Sequence, residues 1–291
     1  MKKFAIITDS CSDLSKEVRE KYSIDYVQMN ITYGGKEVPA DLNWEIYSPS
    51  ELYGVIKTGA RIRTTQVPPT TFEEAFVKYL SEGVDVVYIA CSSALSGSVN
   101  TAKVIADELA AKYENKVYCV DSLNSCMGEG LMAINAAEMR DSGKTAKETA
   151  DYFEANRLKY WQICTVGDLN YLKRAGRVNA SAAFFGNLFG VKPILISNRA
   201  GENFALKKVK GRKNSLDEIV NLTKENIENP SEQIIAILHA DCLADAEYVK
   251  GRIEKELNPK EIYLNYLGPI IGSSAGPDTV AIYCYGKEVQ I

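Results

Sequence analysis

The amino-acid sequence predicts an α/β protein of two α/β domains, residues 1–160 and 161–291. The first is expected around a mostly parallel sheet with flanking helices, the second around another sheet with helices. Three observations carry this expectation. At 291 residues the chain exceeds the size at which one hydrophobic core usually stops growing. Short apolar, β-branched runs alternate with segments of helical spacing, the signature of strand–helix–strand units. Three of these runs end in short polar side chains, Thr8-Asp9-Ser10, Ser92-Ser93 and Asp121-Ser122. A parallel sheet gathers such ends at its carboxyl edge, where ligands of open α/β sheets bind.

In chain order, Phe4 to Ile7 read as a strand, and Leu14, Val18 and Tyr22 recur at helical spacing after a polar turn. Ile24 to Tyr33 alternates as one strand, and Gly34-Gly35 turns it into Lys36-Glu37-Val38. Ser48 and Glu51 form a capping box for a helix that points Leu52, Val55 and Ile56 inward. Arg61 to Glu73 is a proline-stiffened loop carrying the adjacent hydroxyls of Thr64 and Thr65, followed by a helix to about Leu80. Val84 to Ala90 is a strand, Cys91 to Gly97 a hydroxyl-rich turn, and Val99, Ala102, Ala106 and Leu109 mark a helix. Val117 to Val120 is a strand; Met127 to Met139 and Ala146 to Lys159 are helices, the latter capped by Thr145 and Glu148.

Past residue 160 the pattern changes. Strands are expected at Gln162–Val166, Lys192–Ile196, Gln233–His239, Glu261–Tyr266 and Val280–Tyr285, and helices at Gly167–Arg174, Leu216–Ile227 and Ala244–Leu257. Ala182 to Gly190 reads as a Phe-rich helix, apolar on most of its circumference and therefore buried or lining an apolar space. Leu267 to Pro277, with glycine and proline at both ends, reads as a fixed loop approached closely by a ligand or by backbone.

Composition narrows the function classes. With 46% hydrophobic and 25% charged residues the chain is an ordinary globular protein. A net charge of −4 supplies no general attraction for nucleic acid or an anionic membrane. Seven cysteines, an odd number without Cys-x-x-Cys pairs or zinc-ligand spacing, fit free thiols, a reduced cytoplasmic setting and no bound metal. The N-terminal apolar run is too short for a signal peptide's core, and no run approaches the length of a membrane span. Phosphate-loop, dinucleotide and zinc-helix motifs are absent, so no cofactor is expected.

Two readings of the Cys91–Gly97 turn stand side by side. Its serines cap the following helix, or its hydroxyls and N–H groups receive an anionic oxygen. A serine hydrolase or acyltransferase acting through Ser93 or Ser96 is the enzymatic alternative, but it needs a base, and His239 is the only histidine. Lys207, Lys208, Lys210, Arg212 and Lys213 form a basic cluster, read as a solvated face or as a surface for an acidic protein partner.

The ordered set Thr8-Asp9-Ser10-x-x-Asp13-Leu14, Ser92-Ser93-x-Leu95-Ser96-Gly97, Asp121-Ser122, Leu169-x-x-Leu172-Lys173-x-x-Gly176-Arg177, Lys192-Pro193-Ile194 and Gly268-Pro269-x-Ile271-Gly272 resembles the DegV family. That family includes the fatty-acid-binding subunits of bacterial fatty acid kinases. The resemblance implies two α/β domains with a ligand tunnel between them and a long-chain fatty acid, such as palmitate, as ligand. It implies a carboxylate held by Thr64 and Ser93, with Thr65, Ser92 and Ser274 beside them, no catalytic residue, and a separate fatty acid kinase as partner. The sequence departs from the family at two places: the proline after Gln66 is displaced by one, and Ser274 stands where a histidine is expected. An acyl tail would meet the Phe-rich stretch near Phe184, Phe185, Leu188 and Phe189.

Overall fold

The computed structural model describes residues 4–185 and 190–291. Its first strand, β1 (Ala5–Asp9), is buried along its whole length, as an apolar strand covered on both faces must be. Ser15 caps α1 (Lys16–Tyr22) by accepting from the Val18 N–H. The single strand expected over 24–33 is divided in two. Ile24–Val27 (β2) pairs parallel with β1, whereas Asn30–Tyr33 (β3) turns through Gly34-Gly35, both at positive φ, into Lys36–Pro39 (β4). Between β2 and β3 the Met29 N–H donates to the Ser10 hydroxyl and its carbonyl accepts from Ala40, so the backbone leaves one ladder for another.

The capping box of Ser48 and Glu51 opens α2 (Pro49–Lys57). Thr64-Thr65 form a short β5 on β3, followed by α3 (Pro69–Leu80), β6 (Val86–Ala90), α4 (Ser98–Ala110), β7 (Val117–Asp121) and α5 (Met127–Asp141). The Thr145–Glu148 capping box starts α6 (Ala146–Asn156).

After it come β8 (Tyr160–Thr165), α7 (Asn170–Ala175), β9 (Val191–Ser197), β10 (Asn203–Lys210), α8 (Arg212–Asn226), β11 (Ile234–His239), α9 (Leu243–Leu257), β12 (Glu261–Tyr266), α10 (Pro269–Ala275) and β13 (Val280–Tyr285). Two expectations change here. Of the helix expected over 182–190, Ala182–Phe185 form a 3-10 turn, and Leu188 and Phe189 lie outside the described residues. The loop expected after β12 contains α10. Pro269 occupies its first turn, where a missing N–H is harmless, and Gly276 ends it at φ 79°.

The strands form a parallel sheet, β2-β1-β6-β7, a mixed six-stranded sheet, β10-β9-β8-β13-β11-β12, and a small antiparallel sheet, β4-β3-β5. Helices α3 and α4 pack on one face of the parallel sheet and α5 and α6 on the other. The nearly all-buried α5 also packs on β8 and β13, and α8 and α9 cover the far face of the six-stranded sheet. Alanines 133, 136 and 137 on α5 are small enough for two sheets to approach one helix. One core therefore runs from Phe4 and Ile89 through Met132 to Cys164 and Tyr283. Trp161 and Ile163, on the opposite face of β8, join Ile219, Val249 and Ile282 in a second core under α8 and α9. No helix among the described residues is long and apolar enough to cross a membrane.

Candidate functional site

The carboxyl ends of β1, β6 and β7 converge as strand–helix alternation requires, and buried carboxylates organise them. Asp9 accepts from the Cys11 and Cys91 N–H groups at 2.8 and 3.2 Å and from the Tyr88 hydroxyl at 2.9 Å, tying β1 to β6. Burial nevertheless raises its carboxyl above the usual range. Asp121 accepts from the Ser93 N–H at 3.2 Å and from the Leu123 N–H at 3.1 Å, which fixes the start of the turn after β6. Ser92 donates its N–H to the Asn124 carbonyl at 2.8 Å, and its hydroxyl accepts from the Ala94 N–H at 3.2 Å.

The chain then doubles back so that Ser96 points where the Thr64–Val67 loop arrives. Ser98 couples the two segments. Its hydroxyl accepts from the Val67 N–H at 3.2 Å and lies 3.0 Å from the Ser96 hydroxyl. Gly97 is the point of closest approach, because a Cβ there would overlap Gln66 Oε1. Pairing of β5 with β3 presents Thr64 and Thr65 on the other side.

These segments form the rim of a cavity of about 200 Å³ enclosed between the parallel and six-stranded sheets. Thr65, Gln66, Gly97 and Arg177 line it as exposed residues, Thr64, Ser96 and Ser274 as half-buried ones, and Met29, Cys164, Val166, Leu172, Ile270 and Ala281 as members of the buried core. The buried wall is thus mostly apolar, with Ser125, Gln162 and Asn203 as buried polar exceptions. Arg177 emerges where Gly176 ends α7 in the left-handed region, and its Nε and Nη1 donate to the carbonyls of Leu95 and Ala175 at 3.0 and 2.6 Å. This holds a permanent positive charge at the rim.

Of the residues singled out in the sequence, Thr64, Thr65 and Ser274 line the cavity. Ser92 and Ser93 are not among the lining residues: the Ser92 hydroxyl is occupied inside its own turn and Ser93 is exposed. Ser96, part of the turn expected to receive an anionic oxygen but named individually above only as a candidate nucleophile, is the turn serine that reaches the cavity, and Gln66 and Arg177 join it. The signal for Ser96 was the glycine beside it, since a residue that must lack a Cβ marks where another chain segment presses in.

His239 is buried outside the cavity. Its Nδ1 accepts from the Cys242 N–H at 3.3 Å, its ring packs 4.4 Å from that of Tyr266, and burial lowers its basicity. No Ser–His pair is assembled at Ser93 or Ser96 among the described residues. The basic cluster is largely neutralised within its own face: Lys207 pairs with Glu218, Arg212 with Asp245 at 2.7 Å and Lys213 with Asp217 at 2.9 Å. Among the described residues no group of three or more His, Cys, Asp or Glu side chains is placed to hold a metal ion.

A family model described as "Uncharacterised protein, DegV family" matches residues 3–287. A DegV domain-containing protein of Clostridium perfringens is 37% identical over 291 residues, covering 100% of both chains. Among solved structures, a fatty-acid-binding DegV family protein from Thermus thermophilus superposes with a TM-score of 0.86 at 27% identity, covering 97% of this chain and 99% of that one. DegV from Bacillus subtilis, described as a fatty acid binding protein, gives a TM-score of 0.84 at 26% identity with the same coverage of both chains.

Proposed function

This chain belongs to the DegV family, and from that premise we propose that it binds a long-chain fatty acid such as palmitate, with the carboxylate at the mouth of the cavity and the tail inside. The observation that carries the reading is the contrast along the cavity wall, from hydroxyls and a guanidinium at the rim to a buried wall made mostly of apolar side chains. Each methylene removed from water contributes about 0.8 kcal/mol, so the tail supplies most of the affinity. The rim mainly orients the head group. Thr64, Ser96 and Ser274 donate hydroxyl hydrogen bonds to the carboxylate, Thr65 lies at the outer edge, and Arg177 balances its charge. Ser92 and Ser93 act behind them by shaping the turn that aims Ser96.

In this reading the protein is a carrier rather than an enzyme. Exposure of Thr65, Gln66 and Arg177 leaves the carboxylate within reach of a second protein. Such access is what a separate fatty acid kinase would need to phosphorylate the bound acid, with Ser274 providing a neutral donor in place of an imidazole.

Protein purified from cells is expected to carry fatty acid detectable by mass spectrometry of an organic extract. Thr64→Val combined with Ser96→Ala should weaken palmitate binding roughly tenfold per hydroxyl removed, with melting little changed, whereas Ser93→Ala should bind as the parent does. No lipid in the extract and no binding of added palmitate would sink the proposal. Weakening by Ser93→Ala alone would return the head group to Ser93.

A further inference from the structure

The inner part of the cavity is not uniformly apolar. Ser125 just before α5, Gln162 in β8 and Asn203 at the start of β10 all line it, and each is more than nine-tenths buried. They form a chain: Ser125 Oγ donates to Gln162 Oε1 at 3.1 Å, Gln162 Nε2 donates to Asn203 Oδ1 at 2.6 Å, and Asn203 Nδ2 donates to the Arg177 carbonyl at 3.0 Å. Gln162 shares the inner face of β8 with Tyr160 and Cys164, both members of the core. An amide at a strand position facing the core is the exception that asks for a partner.

These three side chains have hydrogen-bonding capacity left over. Each amide NH2 carries two N–H bonds, and the bonds above use one from Gln162 and one from Asn203 among the described residues. The Ser125 oxygen donates but has its acceptor lone pairs uncommitted there. An unbroken methylene chain laid along this wall would cut those groups off from water and offer them nothing in exchange. A hydroxyl suits them, because it accepts from an amide N–H and donates to the serine oxygen. A second carboxylate does not: the Arg177 guanidinium faces the Leu95 and Ala175 carbonyls at the rim, and the trio itself carries no positive charge.

We propose that Ser125, Gln162 and Asn203 form a second polar subsite inside the cavity, and that the acid this protein selects is a long-chain fatty acid bearing a hydroxyl group on its chain. The inference rests on the fatty-acid reading of the cavity and adds the ligand's subclass. A carboxylate at the rim and a hydroxyl inside give two fixed points on one chain, and together they set the distance between the two groups that the site reads.

The test uses the delipidated full chain, with Gln162→Met as a variant of similar volume and Ser125→Ala as a second one should the first fail to fold, folding being checked by thermal melting. Dissociation constants are measured for stearic acid and for stearic acids hydroxylated at successive chain positions. We expect at least one positional isomer to bind the parent protein roughly tenfold more tightly than stearic acid, the effect of about one hydrogen bond to an otherwise unpaired buried group. Gln162→Met, or Ser125→Ala in its place, should erase that preference while retaining or improving stearic acid binding. The subsite is overturned if the parent binds stearic acid as well as every isomer, or if the variants keep the preference. If the parent binds none of these acids, the fatty-acid reading itself fails and the subsite with it.

Discussion

Asp13 is a buried carboxyl whose only stabilising neighbours, among the described residues, are the Gly268 N–H and the Cys126 thiol. It sits at φ 52° against the backbone of Gly268. The titratable groups around it are Asp9 on β1, Cys91 after β6, Glu129 and Cys126 at α5, Tyr53 on α2, Tyr263 on β12 and Tyr283 on β13. None of these is a cation, so burial pushes its carboxyl up to about 7. A folded-state pKa above the ordinary 3.8 means that the folded chain holds the proton more tightly than the unfolded one. Stability is then lost as pH rises from about 4 to about 7, and the full penalty remains above that. Asp13→Asn keeps the shape and tolerates positive φ, so it should leave stability little changed at pH 4 and raise it by about 2–4 kcal/mol at pH 8. Denaturant unfolding at both pH values checks this, and equal destabilisation at both would show that the carboxylate is satisfied. At this scale the sequence disclosed local chemistry and hid long-range geometry. The boxes at Ser48 and Thr145 are readable because both partners lie within one turn. Ser93 and Ser96 look alike in sequence, and what separates them is Asp121, on the next strand, accepting from the Ser93 N–H. Gln162 was hidden for the same reason, since nothing near it in sequence says that Ser125 and Asn203 will meet it.

Among the elements, the decisive join is that between the β5 loop and the start of α4. The Val67 N–H is buried and donates to Ser98 Oγ. Ser98→Ala would leave that N–H dry, costing about 1–3 kcal/mol. It would also free the Thr64–Val67 loop from Ser96. We expect lower stability in denaturant titration together with weaker palmitate binding; a loss of stability with affinity intact would mean that the loop holds its place without Ser98. Strand–helix alternation made most elements legible, because their periodicity is local. It failed where tertiary partners overrode the pattern. The alternation over 24–33 is continuous in sequence, yet Met29 is drawn to Ser10 and Ala40, and one strand becomes two. Helix α10 was masked by its glycines and prolines, which read as loop signals. Gly272 is there for packing: a Cβ would overlap the Tyr53 ring, and Tyr53 Oη donates to the Leu267 carbonyl at 2.7 Å, so α10 lies tight against α2.

For the molecule as a whole, the sequence suggested a change of character near residue 160, and the six-stranded sheet begins with β8 at Tyr160. Composition and periodicity could not show that α5, from the first half, supplies the cover for one face of that sheet. A helix buried on most of its circumference has no way of stating in sequence how many sheets it touches. The consequence is energetic. Because one core runs from β1 through α5 to β13, opening either sheet exposes apolar surface of both, so the two halves should unfold together. Calorimetry of the delipidated chain should therefore show one transition. The cavity draws its wall from the turns that follow strands of the parallel sheet, with Met29 and Cys91, and from the six-stranded sheet, with Cys164 and Ala281. A bound acid then stabilises the whole unit, and palmitate at a free concentration a hundredfold above its dissociation constant should add about 2.7 kcal/mol and raise the single melting temperature accordingly. Two resolved transitions, of which palmitate moves only one, would show that the halves are energetically separate and that the ligand belongs to one of them.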